Sequence, residues 1–421
     1  MIQRPRGTRD LLPPEARLWQ AVEATAHEVF GSFGAEEIRT PIFEATELFV
    51  RSVGETTDIV HKEMYTFSDR KGRSLSLRPE GTAGVARAWI ENRLEDRSHP
   101  LRLYYIGPMF RYERMQRGRY RQFAQIGLEI LGADSPLADA ELLLVLHEFL
   151  TRLGFQDLLV HLNNLGDPED RPRYLEAIRT TLRPYRGDLC TDCRRRLDEN
   201  PLRVLDCKVP RCQELAAAVP PVGEVASEAS RRHVGEVEER LSALGIPFVR
   251  NPLLVRGLDY YLRTVFEVVS PELGTGAVLC GGGRYDRLIA DLGGPAIPGT
   301  GFAIGEDRLV EVVPEHFRQQ VLARPRLYLI PLGDAACGKV LELSRQLVRA
   351  GVPLELELGG RSLKAALRRA DRDGFRAAAI LGEAELGRGV VTVRNLGTGE
   401  QQQVDTSRLA AWWFDRIAEQ H

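Results

Sequence analysis

The sequence predicts an α+β protein, in which a mainly antiparallel sheet flanked by helices carries a helical insertion and is followed by a separate α/β domain. Three observations predict it. Two strand-like runs, "LRLYYIGPMF" and "RQFAQIGLEIL", flank an arginine-rich loop and read as an antiparallel hairpin. From about 168 to 250 basic and acidic residues mix with clustered cysteines, and "AAAVPPVG" supplies a breaker, which marks an inserted, mostly helical module. Near "LARPRLYLIPLG" the pattern turns to strand, helix, strand, helix, which sets a domain of residues 1–325 apart from one of residues 326–421.

Taken in order, an amphipathic helix is expected at about 14–33, because Leu18, Val22, Ala26, Val29 and Phe33 recur at helical spacing before Gly34. In "IRTPIFE" Pro41 interrupts a strand-like run. In "SLSLRPEGTAGVARAWI" a short strand breaks at Pro79, and Thr82 is placed to cap a helix. The hairpin follows, with helices expected on one side of its sheet. After the insertion, strand character returns in "LVRGLDYYLRTVFEVVS", then come the glycine-rich "LCGGGRYDRL" and "IPGTGFAIGEDRL", the latter read as a glycine turn into a helix start carrying Arg308.

Composition narrows the possibilities. The 421 residues are 43% hydrophobic and 28% charged with a net charge of -2, enough for more than one core. No apolar run of about 18 residues occurs and no apolar stretch follows Arg4 and Arg6, so neither a membrane span nor a signal peptide is expected, and the cytoplasm is the default compartment. Near-neutral charge excludes a surface that binds nucleic acid everywhere and leaves local patches. Residues 111 to 121 hold one, with Arg111, Arg114, Arg117, Arg119 and Arg121. Four of the six cysteines are grouped: Cys190 and Cys193 form CxxC, and thirteen intervening residues lead to Cys207, four more to Cys212. The order resembles a zinc ribbon, but the second pair is loosely spaced, and reduced thiols in a helical module are the plainer reading, with no metal assigned.

Period-two geometry separates the faces of the hairpin's second strand. Ala124, Ile126, Leu128 and Ile130 share a core face, whereas Phe123, Gln125, Gly127, Glu129 and Leu131 share the other. That second face is either a solvated surface or the polar floor of a small-molecule site, cleared by Gly127. On the first strand Arg111 and Glu113 are expected on one face, where a guanidinium can take a phosphate with paired donors. The outer arginines read as a finger for a nucleic-acid backbone or as a solvated hairpin. "GDAACGKV" fails as a phosphate loop because Val340 cannot ligate magnesium, and "GTGFAIG" fails the dinucleotide spacing. In "RGLDYYLRTVFE", Arg256, Asp259, Tyr260 and Tyr261 crowd beside a strand, which favours a site over a buried tyrosine pair.

Together these segments resemble the class II aminoacyl-tRNA synthetases, and within them the histidyl-tRNA synthetase family, over nearly the whole chain. The region ending at Pro41, "FRYE" with its loop, and "GTGFAIGEDR" resemble the three class motifs. "RGLDYY" and "GGGRYD" resemble the histidine-specific pair, with "PRGTRDLLP" and "LRPEGT" in support. The resemblance implies that ATP and L-histidine give histidyl-adenylate, and that the histidyl group then passes to the terminal ribose of tRNA(His). It implies Arg111 and Arg256 on the α-phosphate as catalytic groups and on histidine. Glu80, Gly81, Thr82 and Gln125 are implied around its ammonium, and Glu129 and Tyr261 on the imidazole nitrogens beside Tyr260 and Tyr285. Glu113, Phe123 and Arg308 would complete the ATP site, and Arg114, Gln116, Arg117 and Arg119 would meet the tRNA acceptor end. Mg2+ on the ATP phosphates, a homodimer and an anticodon-binding C-terminal domain are also implied. In that domain "RSLKAALRRADR" offers Arg361, Lys364, Arg368, Arg369 and Arg372 as a basic helical face or as a solvated helix. The rival reading is a synthetase-like regulatory subunit of ATP phosphoribosyltransferase, which the arginine pattern and the full terminal domain disfavour.

Overall fold

The computed structural model describes residues 2–55, 57–97, 99–114, 118–270, 278–323 and 325–418. The chain forms two compact units, Met1–Val321 and Leu322–His421. Along the first run α1 (Glu15–Ser32), β1 (Glu36–Glu37), β2 (Phe43–Ala45), α2 (Thr46–Val53), β3 (Thr66–Ser68), β4 (Ser74–Leu77) and α3 (Thr82–Glu91). The hairpin of β5 (Leu101–Phe110) and β6 (Gln122–Leu131) comes next, then α4 (Pro136–Arg152) and β7 (Leu159–Asn164). The helical stretch holds α5 (Arg171–Leu182), α6 (Thr191–Glu199), α7 (Leu202–Leu205), α8 (Pro210–Ala216), α9 (Val222–Val225) and α10 (Glu228–Ala243). The unit closes with β8 (Phe248–Arg250), β9 (Leu262–Val269), β10 (Val278–Arg284), α11 (Leu288–Asp291), β11 (Gly299–Gly305), α12 (Glu306–Val312) and α13 (Glu315–Leu322).

Among the described residues these strands make an eight-stranded sheet, ordered β1-β5-β6-β11-β10-β9-β7-β8. Its pairs are antiparallel except β1 with β5 and β7 with β8, which are parallel. A small three-stranded sheet, β2-β4-β3, stands beside it. The even face of β6 buries Ile126, Leu128 and Ile130. Phe30 of α1, Phe149 of α4 and Phe302 of β11 cluster at that layer with ring centroids 5.3 to 5.9 Å apart. Phe33, expected in that core, caps α1 half-buried, because the helix ends at Ser32 and Phe30 takes the inward place. Helices on one side only is also corrected: Val85 and Trp89 of α3 pack with Leu103, Tyr105 and Leu131 on the odd face, whose apolar members need cover as well.

Three further expectations change in detail. Gly299–Gly305, expected as a turn, is a strand between β6 and β10 in the middle of the sheet. Phe248–Arg250 pairs with β7, so the sheet resumes before residue 250. α10 is likewise tied to the sheet unit, through His233 Nε2, which lies 2.7 Å from Asp139 of α4. Arg284 of β10 is fully buried and donates to that same carboxylate at 3.1 Å from Nε. Burial pushes the Asp139 carboxyl up, but His233 and Arg284 outweigh it and hold it below its ordinary value.

The second unit contains β12 (Leu327–Pro331), α14 (Asp334–Arg349), β13 (Leu354–Leu356), α15 (Leu363–Arg372), β14 (Ala377–Leu381), α16 (Glu383–Arg388), β15 (Val390–Asn395), β16 (Gln401–Asp405) and α17 (Leu409–Trp413). Its five described strands are ordered β13-β12-β14-β15-β16, parallel on the first side and antiparallel from β14 onward. Val340, the residue that spoiled the phosphate-loop match, is 5% exposed in this unit's core, facing Leu327 and Leu329.

Candidate functional site

The site grows from the odd face of β6. In the hairpin register Leu103 pairs with Glu129, Tyr105 with Gly127 and Gly107 with Gln125; across β11, Gly301 pairs with Glu129 and Gly305 with Gln125. Glu129, 1% exposed, is therefore held at the centre of the sheet. A Cβ on Gly301 would fall on its carboxylate, and one on Gly127 would fall on the Tyr105 ring. Glycine is required here because the space above the sheet is already filled by functional groups.

Glu129 receives Thr82 Oγ1 at 2.7 Å, the Tyr105 hydroxyl at 3.4 Å and the Tyr285 hydroxyl. Burial pushes its carboxyl up to about 8 against those three donors, with the Glu80 charge adding to the rise. Thr82 is thus not the helix cap. Gly81 is the N-cap of α3, and Glu80 does the capping, accepting the Thr82 and Ala83 amides at 2.8 and 2.7 Å. A carboxylate at the positive end of a helix outcompetes a hydroxyl for those amides, and this frees the hydroxyl for Glu129. Gly81 also leaves room for the Tyr105 ring. Tyr260 stands between Tyr261 and Tyr285 with centroids 4.6 and 5.6 Å away, and all three hydroxyls are pushed up by burial. Gln125 is buried, and among the described residues its Oε1 has no hydrogen-bond partner. An unpaired buried acceptor on the same strand face as Glu129 suits a cationic ligand group.

Of the arginines named from the sequence, Arg111 stands at the hairpin mouth. Arg111 lies one residue past the end of β5, where its amide still bonds the Arg121 carbonyl at 2.9 Å. It donates to the Pro79 carbonyl at 2.9 Å and lies 5.3 Å above the Phe123 ring. Glu113 is also beyond the strand, 3.7 Å from Arg111 and 3.5 Å from Arg119. Arg114 and Arg119 are exposed, and Gln116 and Arg117 lie outside the described residues. Arg308 follows β11 in the first turn of α12, its stem against Gly118 of the hairpin return. Arg256 lies over Gly281 of β10, where a Cβ would strike its guanidinium, and meets Glu267 of β9 at 2.5 Å. Among the described residues its Nε has no partner. Direct contacts thus join Glu80, Thr82, Glu129, Tyr260, Tyr261 and Tyr285 in one cluster and Arg111, Glu113, Phe123 and Arg119 in another. Gln125 lies on the floor strand they share.

Sequence reasoning missed several groups here. Tyr105 alternates in phase with Leu103 and Met109, so its face was readable once the hairpin register was known. Glu267, the register partner of Gly281 on the neighbouring strand, orients Arg256. Arg9 reaches Asp307 at 2.9 Å, while Asp307 accepts the Ala124 amide at 2.8 Å, tying the N-terminal "PRGTRD" to the start of β6. Asn200 donates to Asp259 at 3.0 Å and Arg203 to the Arg256 carbonyl at 2.9 Å, so the helical stretch supports the Arg256 segment.

In the second unit Arg361 and Arg369 of the expected basic face bind Glu357 and Glu355, and Arg372 binds Asp373. Lys364 and Arg368 are exposed, with no ion pair among the described residues.

Comparison with known proteins matches residues 7–166 and 204–309 to the family model described as histidyl-tRNA synthetase, and residues 326–413 to the anticodon binding domain. A histidine–tRNA ligase of Desulfitobacterium hafniense is 48% identical over 404 residues, 96% of this chain and 95% of that relative. One of Bacillus cytotoxicus is 45% identical over 420 residues, 99% of each chain. The apo histidyl-tRNA synthetase of S. aureus superposes with a TM-score of 0.80 at 35% identity, covering 98% of this chain and 99% of that one. An ATP phosphoribosyltransferase regulatory subunit/histidyl-tRNA synthetase of Bacillus halodurans shares the fold at a TM-score of 0.67 and 24% identity, covering 91% and 98% of the two chains.

Proposed function

The chain belongs to the histidyl-tRNA synthetase family and ligates histidine to tRNA at the expense of ATP, and from that premise we propose which of its groups perform each part of the reaction. The regulatory-subunit reading is not favoured, since relatives at 44 to 48% identity over nearly the whole chain are ligases. The buried Glu129 carboxylate with its ring of hydroxyls supports an imidazole pocket, because two ring nitrogens can exchange hydrogen bonds with an acid and a phenol held face to face. Gln125 Oε1 and Glu80 receive the ammonium, with Gly81 and Thr82 at the same helix start. Tyr261 faces the second nitrogen, and Tyr260 and Tyr285 wall the ring.

Arg256 and Arg111 hold the histidine carboxylate and the α-phosphate of ATP. As carboxylate oxygen attacks the α-phosphorus and pyrophosphate leaves, negative charge gathers on the nonbridging oxygens, where two fixed guanidiniums stabilise it. The carboxylate is already the nucleophile and needs no base. Phe123 stacks on the adenine with Glu113 beside it, and Arg308 holds the γ-phosphate end. Glu113 and Glu267 are engaged by arginines, which suits Mg2+ held chiefly by phosphate oxygens and water. In the second step a ribose hydroxyl of the tRNA end attacks the histidyl carbonyl and AMP leaves, with Arg114, Gln116, Arg117 and Arg119 meeting the acceptor end.

We further assign the catalytic domain to residues 1–325, its helical insertion to about 168–250 and the anticodon-binding domain to 326–421. A homodimer in the cytoplasm, where ATP and tRNA meet, completes the reading. Exposed Ile42, Phe43 and Phe67, 45%, 53% and 44% accessible, support a covered face at the small sheet. Sedimentation of the purified chain should give twice the monomer mass, and a monomer at micromolar concentration would refute the dimer. The buried Glu129 is the observation that carries the site assignment. Histidine-dependent pyrophosphate exchange tests it: Glu129→Gln should raise the histidine requirement by roughly 100-fold or more, whereas Arg256→Ala should chiefly slow exchange. An unchanged histidine requirement in Glu129→Gln would remove that residue from the pocket.

A further inference from the structure

The helical stretch holds a group of side chains that the ligation reaction does not use. Cys190 precedes α6 as its N-cap, Cys193 lies in its first turn, Cys207 follows α7 and Cys212 sits in α8. Their sulfurs all lie within 4.8 Å of one another. Cys193, Cys207 and Cys212 are buried at 0%, 6% and 0% exposure. Cys190 and Cys207 stand Sγ to Sγ 3.9 Å apart. Two of the sulfurs also accept backbone amides, Cys212 from Cys190 at 3.3 Å and Cys207 from Val209 at 3.5 Å. We propose that these four sulfurs bind one zinc ion as thiolates and that the ion staples α6, α7 and α8 into one body.

A regular tetrahedron of sulfurs about 2.3 Å from zinc has edges of about 3.8 Å. The cluster needs only a slight contraction to reach it. A disulfide would demand that one pair close to about 2.05 Å and would leave the other two sulfurs facing it. Amide-to-sulfur bonds of the kind seen here suit thiolates, which accept strongly, better than thiols, and thiolates crowded together need a central cation. The loose spacing between Cys207 and Cys212, which weakened the sequence match, is absorbed by the turn into α8.

The three helices are short, four residues in the case of α7, and helices of this length do not hold themselves. A metal cross-link supplies the missing constraint. Its reach extends to the reaction centre, because Asn200 and Arg203 of the stapled body hold Asp259 and the Arg256 carbonyl, and Arg196 holds Asp58 at 3.2 Å.

The test is elemental analysis of the full-length chain, purified without metal-affinity resin from zinc-supplied cells. About one zinc per chain is expected, released by a mercurial reagent as the cysteines are consumed. Cobalt exchange should give a thiolate charge-transfer band. Cys193→Ser and Cys212→Ser should each lower zinc content at least roughly tenfold, whereas Cys337→Ser, at an exposed cysteine of the other unit, should leave it unchanged. A folded wild-type chain without zinc, with these four thiols freely alkylated or joined as disulfides, overturns the site. Hydrogen exchange tests the staple: zinc removal should speed exchange in α6 to α8, and unchanged exchange there overturns that role. Neither readout depends on ligase activity.

Discussion

A buried carboxyl costs stability unless something answers its charge, and the chain answers two of its raised glutamates, Glu129 and Glu306, differently. Glu129 has three hydroxyl donors and, in the proposed pocket, a ligand nitrogen. Glu306 has none: it is fully buried, and among the described residues neither oxygen has a hydrogen-bond partner. Burial, with the Glu23 and Asp307 charges adding, pushes Glu306 from 4.5 up to about 9. Between those values the folded chain keeps a proton that the unfolded chain gives up, so this residue's contribution is full below pH 4.5 and falls as pH rises toward 9. Glu306→Gln, which imitates the protonated acid, should raise the melting temperature by roughly 3 °C or more at pH 8 and leave it nearly unchanged near pH 4.5. Thermal scans at the two pH values check this, and an equal shift at both would contradict it.

At the level of elements, the alternation of β6 was legible in one sequence because side-chain period and strand geometry are the same fact. Its polar face is buried rather than solvated, because β11 and β10 set glycines, not side chains, beside Gln125 and Glu129. The capping role of Thr82 was misread because the competing Glu80 and the distant Glu129 are brought to it only by the fold. The hairpin register placed Tyr105 over Gly127, and no local pattern states a register. Nor did "GGGRYD" reveal that Arg284 faces away from the site, into α4, while Tyr285 faces the site. That buried contact joins β10, α4 and α10. Asp139→Ala should leave Arg284 with Asp286 at 2.8 Å as its remaining close carboxylate and deprive the buried His233 of its Asp139 partner, costing about 1–3 kcal/mol in a denaturant titration. Asp139 touches none of the groups proposed to hold histidine, so the histidine requirement of the surviving folded enzyme should stay near wild type, and a stability loss under about 1 kcal/mol would refute the account.

At the scale of the whole molecule, the chain divides its labour between a unit that carries the reaction centre and one that matches an anticodon-binding model. The sequence pattern changes near residue 326 and the structure divides between Val321 and Leu322, whereas no pattern states which cations of the second unit remain available. Glu355, Glu357 and Asp373 occupy three of the five basic residues considered, leaving Lys364 and Arg368. Reversing both, Lys364→Glu with Arg368→Glu, should weaken tRNA charging roughly tenfold or more by removing contacts that a polyanion would make, while histidine-dependent pyrophosphate exchange stays intact. Loss of exchange in the double variant would show that the two units are not separable in this way.

The glycines beneath the pocket carry one more implication. Where a proposed pocket is outlined by missing methyl groups at Gly127, Gly281 and Gly301, an added methyl meets the Tyr105 ring, the Arg256 guanidinium or the Glu129 carboxylate first. Such an outline narrows abruptly: one added carbon at Gly301 lands on the Glu129 carboxylate proposed to select the ligand. Variation at these three positions is therefore expected to displace the very groups proposed to hold the ligand.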